Sequence, residues 1–459
     1  MNGRWAGYGT ALLVLAAGLA AAAAGTPTAA AIVVPAVVGA LASVALVHGY
    51  TRGTAGDVRR LLLALTLVAF VLRFGLSLVI SSSTALQGAL APDSLGYHQT
   101  AIDIVAAWRD GTGPVVATGP GKEGFVLGLA ALYRLFGPHE SCGLALVAAF
   151  SAGLIPVSHD TTRRLFGPAA ARTVAVMVSV LPGYVLWSSQ LLREAPIIFF
   201  LAVLANAVVR LSDRISAPVL AVAVGCLLVL FTLRSNVALI ALCGAAAGLV
   251  AGSRRAGRGV LVGCVTLAAV AGAAVVFGLG AHGVTASPSA NLQQLAFYRR
   301  ALGTDTGSAI NADVDVGSPG AAIAFLPTAV VSFLLGPFPW QVKNLFQALG
   351  VVDAASLWII APALVRGLRL GLRQVGRRLL PLLLPAALLL VMLSLLISNY
   401  GMIVRERPQV IILLLPIAAR GWIGRRSAAA QPARTLSRPA GRPALSPTVP
   451  GPAPPPDRC

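Results

Sequence analysis

The sequence predicts an all-α protein, a polytopic transmembrane helical bundle of about 12 spans (range 11–14). Three observations predict it. Of the 459 residues, 57% are hydrophobic and only 11% are charged, whereas a soluble domain carries roughly 25% charged residues on its water-facing surface. Mean hydropathy is +0.83. Apolar stretches of about 20 residues, the length that crosses the hydrocarbon core as a helix, recur from one end of the chain to the other.

The spans can be placed in order by the positive-inside rule. Residues 11–25 read as a signal peptide or as an uncleaved first helix; because 29–47 follow almost at once, the uncleaved helix is preferred. Arg52, Arg59 and Arg60 then mark the cytoplasmic side, and 61–80 carry the chain outward. A first outer loop covers about 81–122, with 93–108 as a short helix along the surface. Residues 124–136 are apolar but short for a span. Residues 143–157 return inward to Arg163 and Arg164; 174–187 run out, 195–209 in, 219–233 out, and 237–252 end inside at Arg254, Arg255 and Arg258. Residues 260–279 lead to a second outer loop, about 280–320. Residues 321–337 read as a span or a re-entrant piece. Arg366, Arg369, Arg373, Arg377 and Arg378 mark the inside again, followed by 379–397 outward and 410–419 back. The transmembrane unit is thus 1–426. Residues 427–459, rich in Pro, Arg and Ser, read as a disordered cytoplasmic tail.

A net charge of +20 could attract nucleic acid. The arginines are scattered between apolar runs without aromatic interleaving, so they read as topology signals and no nucleic-acid partner is expected. The five cysteines form no C-x-x-C pair and the five histidines no cluster. Asp93, His98 and Asp103 are spaced by five and do not share one helical face, so the sequence supports no metal, and no cofactor is expected. Gly119-Pro120-Gly121-Lys122-Glu123-Gly124 departs from a phosphate loop in spacing, and Glu123 stands where Ser or Thr is needed.

Charges at the outer ends of spans are the functional candidates, because charge near hydrocarbon costs a few kcal/mol unless paired or wetted. They are Asp93, Arg193 with Glu194, Arg234, and Arg405 with Glu406 and Arg407. The guanidinium fork suits phosphate, and a nearby carboxylate suits a reaction that needs a base. The structural alternative is internal pairing, Arg193 with Glu194 or Arg405 with Glu406. For Asp93, in Pro92-Asp93-Ser94, it is a helix N-cap.

Pro92-Asp93-Ser94 with Tyr97, in an outer loop after an early helix, resembles the first loop of GT-C class membrane glycosyltransferases, nearest the dolichyl-phosphate-mannose protein mannosyltransferase-like branch (glycosyltransferase family 39-like). The resemblance runs on through Leu132-Tyr133-Arg134-Leu135-Phe136-Gly137 and Arg164-Leu165-Phe166-Gly167. It continues in Leu181-Pro182-Gly183, Trp187-Ser188-Ser189 and Leu192-Arg193-Glu194, with Arg405 before Pro408 as a looser echo. It covers roughly the N-terminal half. It implies transfer of a sugar from a polyprenyl-phosphate donor to a glycan, lipid or protein acceptor at the outer face, in a bacterial plasma membrane. Asp93 matches the catalytic carboxylate; Arg193, Arg234 and Arg405 would bind the donor phosphate, with Glu194, Tyr97 and Arg407 in support. The branch has two adjacent acidic residues where this chain has Asp93 followed by Ser94. The other readings are a polysaccharide polymerase or O-antigen-ligase-like enzyme, and a non-enzymatic transporter or flippase of lipid-linked sugars. A transporter should carry internal repeats and mid-membrane charges, whereas here no repeat is evident and the suspect charges gather at one face.

Overall fold

A computed structural model describes residues 27–112, 122–252, 291–304 and 307–429. Among these the chain is helical, without strands; one isolated bridge pairs Ala309 with Asn399. Helices are the expected answer inside a bilayer, where each backbone N–H and C=O must find its partner within the segment. In chain order they are α1 (Pro27–Tyr50), α2 (Gly56–Ser81), α3 (Thr84–Leu90), α4 (Pro92–Asp110), α5 (Glu123–Phe136) and α6 (Glu140–Phe166). Then come α7 (Pro168–Val180), α8 (Pro182–Trp187), α9 (Glu194–Asp213), α10 (Ala217–Leu233), α11 (Ser235–Gly252) and α12 (Leu292–Gly303). The chain ends with α13 (Pro319–Leu335), α14 (Leu345–Val375), α15 (Leu380–Leu396), α16 (Tyr400–Glu406) and α17 (Pro408–Ala429).

Six of the described helical stretches are long and apolar enough to cross a membrane: Ala30–Tyr50, Gly56–Ser81, Glu140–Phe166, Glu194–Asp213, Ser235–Gly252 and Gln347–Leu396. The last is interrupted by a 3-10 turn at Gly376–Leu379, where Gly376 takes φ +51°. Pro168–Val180, Ala217–Leu233, Pro319–Leu335 and Pro408–Gly424 are apolar but shorter. The chain is an α-helical, multi-pass membrane protein. Two of the expected spans, 11–25 and 260–279, lie outside the described residues, as do 430–459 of the expected tail.

The helices α6 and α9 form the centre. Helix α6 packs against α1, α2, α7 and α9; α9 also packs against α10, α11 and α17. Both are almost wholly buried, and small residues (Ala, Gly and Ser in α6, Ala in α9) are interspersed with Val, Leu and Ile along the buried positions. Between membrane helices, close packing substitutes for a hydrophobic drive, so small residues are favoured at the contact. The tightest approach joins α14 to α17: a Cβ on Gly367 would strike the Ile417 carbonyl, and one on Gly421 the Ala363 carbonyl.

Proline sets several boundaries. Pro92, Pro168, Pro182 and Pro319 each open a helix at its first turn, where the missing N–H is not needed. This corrects the expected span 174–187. Leu181 before Pro182 is extended (φ −61°, ψ 112°), so the segment divides into α7 and the short α8. Residues 124–136 form the amphipathic helix α5, half buried, packed against α4 and α10. The segment expected to be a second outer loop is partly helical, since α12 occupies 292–303 and α13 already begins at Pro319. Residues 321–337 are helical to Leu335, and α17 runs to Ala429, three residues into the expected tail.

Candidate functional site

Helix α4 begins with Pro92 at its first position and Ala91 as its cap residue, with no side-chain cap bond. Asp93 is therefore in the first turn and not the N-cap, which corrects the capping alternative. Its carboxylate is 44% exposed and accepts from Arg405 Nη1 at 2.6 Å. The start of α4 is held by Gln87, whose Nε2 donates to Glu140 Oε1 at 2.8 Å and to Ser94 Oγ at 3.4 Å. Ser94, where the resembling family has a second acid, is buried and turned toward Gln87.

Arg405 lies in the last turn of α16 and is the hub. Its Nε and Nη2 both reach Glu194 Oε1, at 2.9 and 2.8 Å, while Nη1 holds Asp93. Glu194 opens α9 and its side chain is only 2% exposed. The helix N-terminus and the Arg405 fork together compensate its charge, although Oε2 makes no hydrogen bond among the described residues. Arg193 precedes it and donates from Nη1 to the Leu233 carbonyl at 3.1 Å, at the end of α10. Arg234, the next residue after α10, is paired with Glu406, whose carboxylate also accepts from Gln409. The expected internal pairs were sequence neighbours; the observed ones cross between helices, Arg405 with Glu194 and Arg234 with Glu406.

Tyr97 lies one turn after Asp93 on the same face of α4. It is buried against Phe125, ring edge to face at 5.2 Å, with Lys122 Nζ 5.8 Å from its ring centroid. Burial pushes its phenol up to about 12, against the lowering effect of Arg193. For Asp93, burial works to raise the carboxyl, but the charge and hydrogen bond of Arg405, helped by Lys122 and Arg193, win and hold it below the usual carboxylate range. Burial likewise opposes the charge on Arg405, and Glu194, Glu406 and Asp93 overcome it, raising its value.

Six of the seven candidates are thus brought to one place, near one end of the bundle. Arg407 is not. Its Nη1 meets Asp353 Oδ2 at 3.1 Å and its Nη2 donates to the Gly336 carbonyl, while Asp353 Oδ1 accepts from Gly183 N at 2.9 Å. This corrects its placement in support of a phosphate site: it is a buried clamp between α8, α14 and the 336–337 turn. His98 and Asp103 are engaged separately, His98 with the Tyr133 hydroxyl at 2.6 Å and Asp103 with Gln99 at 3.0 Å.

Beside the charge cluster is a cavity of about 410 Å³. Leu90 precedes the Asp93 turn, and Val404 precedes Arg405; both line it, with Trp187, Pro337 and Tyr400. Ser308, Asn344 and Gln347 supply its polar groups. The apolar residues Leu349 (42% exposed) and Val352 (57% exposed) also line it, so it is open on one side through an apolar edge. None of the seven candidate residues lines the cavity itself; it adjoins the charge cluster through Leu90 and Val404.

Gln409 and Asp353 were missed as members of these networks, whereas Glu406 was selected but pairs with Arg234 and not with its neighbour Arg405. Asp353 had a readable signal, a lone carboxylate within an apolar run. Gln409 had none. No protein-family model matches the chain, and no curated protein matches its sequence.

Proposed function

We propose that this protein transfers a sugar from a polyprenyl-phosphate-linked donor to a hydroxyl acceptor at the outer face of a bacterial plasma membrane, as a GT-C-like enzyme of about 12 spans. The observation that carries the reading is the contact of a half-exposed carboxylate, Asp93, with a guanidinium fork, Arg405, beside an apolar-edged cavity. Asp93 takes the proton of the acceptor hydroxyl. The acceptor oxygen then bonds to the anomeric carbon as the bond from that carbon to the phosphate oxygen breaks. The lipid phosphate leaves with the electron pair, and Arg405, with Arg193 and Arg234 behind it, stabilises the growing negative charge. Inversion at the sugar follows from the resemblance. No cofactor enters this scheme.

The pairing of Arg405 has a consequence for the order of events. Arriving phosphate competes with Asp93 for the Arg405 fork. As Nη1 moves to phosphate, Asp93 loses the cation that suppresses its proton affinity and becomes a stronger base. Acceptor deprotonation is then coupled to donor occupancy.

One observation favours a second reading. Asp93, Glu194 and Glu406 balance Arg193, Arg234 and Arg405 in charge, which is also what a structural clamp in a transporter of lipid-linked sugars would need. Transfer of labelled sugar from a short-chain polyprenyl-phosphate hexose to membrane acceptors, with purified wild type and Arg405→Lys, separates the two. Lysine keeps the charge but cannot bridge both carboxylates and phosphate. The enzyme reading expects turnover by wild type and a loss of about 100-fold in the variant, the scale of one transition-state donor. Donor movement across a vesicle without any transfer product would favour the transporter.

A further inference from the structure

We propose that Arg163, Arg164, Arg210 and Arg378 form a binding site for the phosphate of an anionic phospholipid headgroup, at the end of the bundle away from Arg405. The site is independent of the transfer chemistry. Helix α9 fixes its place: Glu194 opens that helix beside Arg405, and Arg210 lies in its last turn, about 24 Å away at ~1.5 Å per residue. Helix α6 repeats the relation, with Glu140 joined to Gln87 near Ser94 and Asp160 near its other end. Both are membrane-crossing helices by length and composition, so the cluster lies at the depth where headgroups reside.

The cluster has more cations than it needs for itself. Asp160 Oδ1 accepts from Arg163 Nη2 at 2.8 Å. Its Oδ2 accepts from Arg164 Nε at 2.8 Å, Arg210 Nη2 at 2.8 Å and Nε at 3.1 Å, and Asn206 Nδ2 at 3.1 Å. That carboxylate is saturated. Asp213 pairs with Arg378 and, at 3.7 Å, with Arg164 Nη1. Four guanidinium groups therefore share two carboxylates, and one cation per carboxylate would have sufficed to neutralise them.

The unused donors are also reachable. Each guanidinium carries five N–H groups, of which these contacts occupy one or two apiece. The four side chains remain 37% (Arg163), 28% (Arg164), 28% (Arg210) and 22% (Arg378) exposed. Tyr50 supports Arg210, its ring centroid 5.1 Å from the guanidinium carbon. Planar forks fixed by a buried carboxylate, with outward N–H groups and surplus positive charge, suit a phosphodiester oxygen pair. Basic pockets between membrane helices are known to take such headgroups.

The test is thermal unfolding of the full-length protein in neutral detergent, titrated with phosphatidylglycerol, phosphatidylcholine or millimolar inorganic phosphate. Phosphatidylglycerol is expected to raise the midpoint progressively and phosphatidylcholine to leave it unchanged. Arg163→Gln leaves Arg164 and Arg210 on Asp160, and is expected to lower the apparent affinity for phosphatidylglycerol roughly fivefold. Arg163→Lys, which keeps the charge without the fork, should fall between. Should Arg163→Gln fail to fold, native mass spectrometry of wild type decides, with retained phosphatidylglycerol expected over phosphatidylcholine. Equal responses to the two lipids would overturn the proposal, as would a wild-type response in Arg163→Gln. Stabilisation by inorganic phosphate alone would assign the site to a free anion and overturn the lipid.

Discussion

Asp93→Asn separates a catalytic carboxylate from a structural one, and its magnitude follows from the geometry. The asparagine side chain keeps the shape and can still accept from Arg405 Nη1, while losing the charge and the ability to take a proton. Arg405 retains both of its contacts to Glu194. Because Asp93 is 44% exposed, its ion pair is screened and worth about 0.2–1 kcal/mol. Loss of a negative charge from the first turn of α4 adds about 0.3–1 kcal/mol. The melting midpoint should therefore fall by only a few degrees. Transfer from labelled polyprenyl-phosphate hexose should fall by about 100-fold or more if Asp93 is the base. The pH profile gives a second readout. Asp93 has a lowered value in the folded protein, so its pair is fully present above the ordinary value of 3.8 and is lost as pH falls through the lower folded value. Wild type should lose that increment of stability below about pH 4, and Asp93→Asn should lack it. Transfer by Asp93→Asn within a few-fold of wild type would refute the reasoning and leave Asp93 as an ion-pair partner.

Two further outcomes test the frame. Gly421→Val places branched carbons against the Ala363 carbonyl, so α14 and α17 must separate; a loss of about 3 kcal/mol or more is expected in thermal unfolding, above the usual range for overpacking because the neighbour is backbone. Reporter fusions after Arg60 and Arg378 should report cytoplasm and one near Ser94 the outside, since basic loops stay inside. A cytoplasmic Ser94 would remove the outer-face site.

Much of the helix plan was legible because hydropathy and proline position act locally. The spans beginning near 29, 61, 143, 195 and 237 all fall within observed helices. The failure at 174–187 came from the residue before Pro182, whose extended backbone outweighed an apolar composition that continued unbroken. At the site, charge at the ends of apolar runs was enough to select Asp93, Arg193, Glu194, Arg234 and Arg405, and Tyr97 came in only through the resemblance of the Pro92-Asp93-Ser94 loop. It could not separate Arg405 from Arg407. Two positions along a helical path turn a side chain by about 200°, and the two guanidiniums leave in opposite directions, one to Glu194 and one to Asp353.

What the sequence alone determined was the solvent of this protein. With 11% charged residues and recurrent apolar runs, the chain has too little polar surface to face water, and helices are the form that satisfies its backbone in lipid. What only the tertiary structure decided was which charge answers which. Arg405 meets carboxylates 211 and 312 positions away, and Arg234 meets one 172 away. An ion pair in low dielectric is set by a few ångströms of separation, and that distance depends on how α4, α9, α10 and α16 converge, a property that no local pattern of residues encodes.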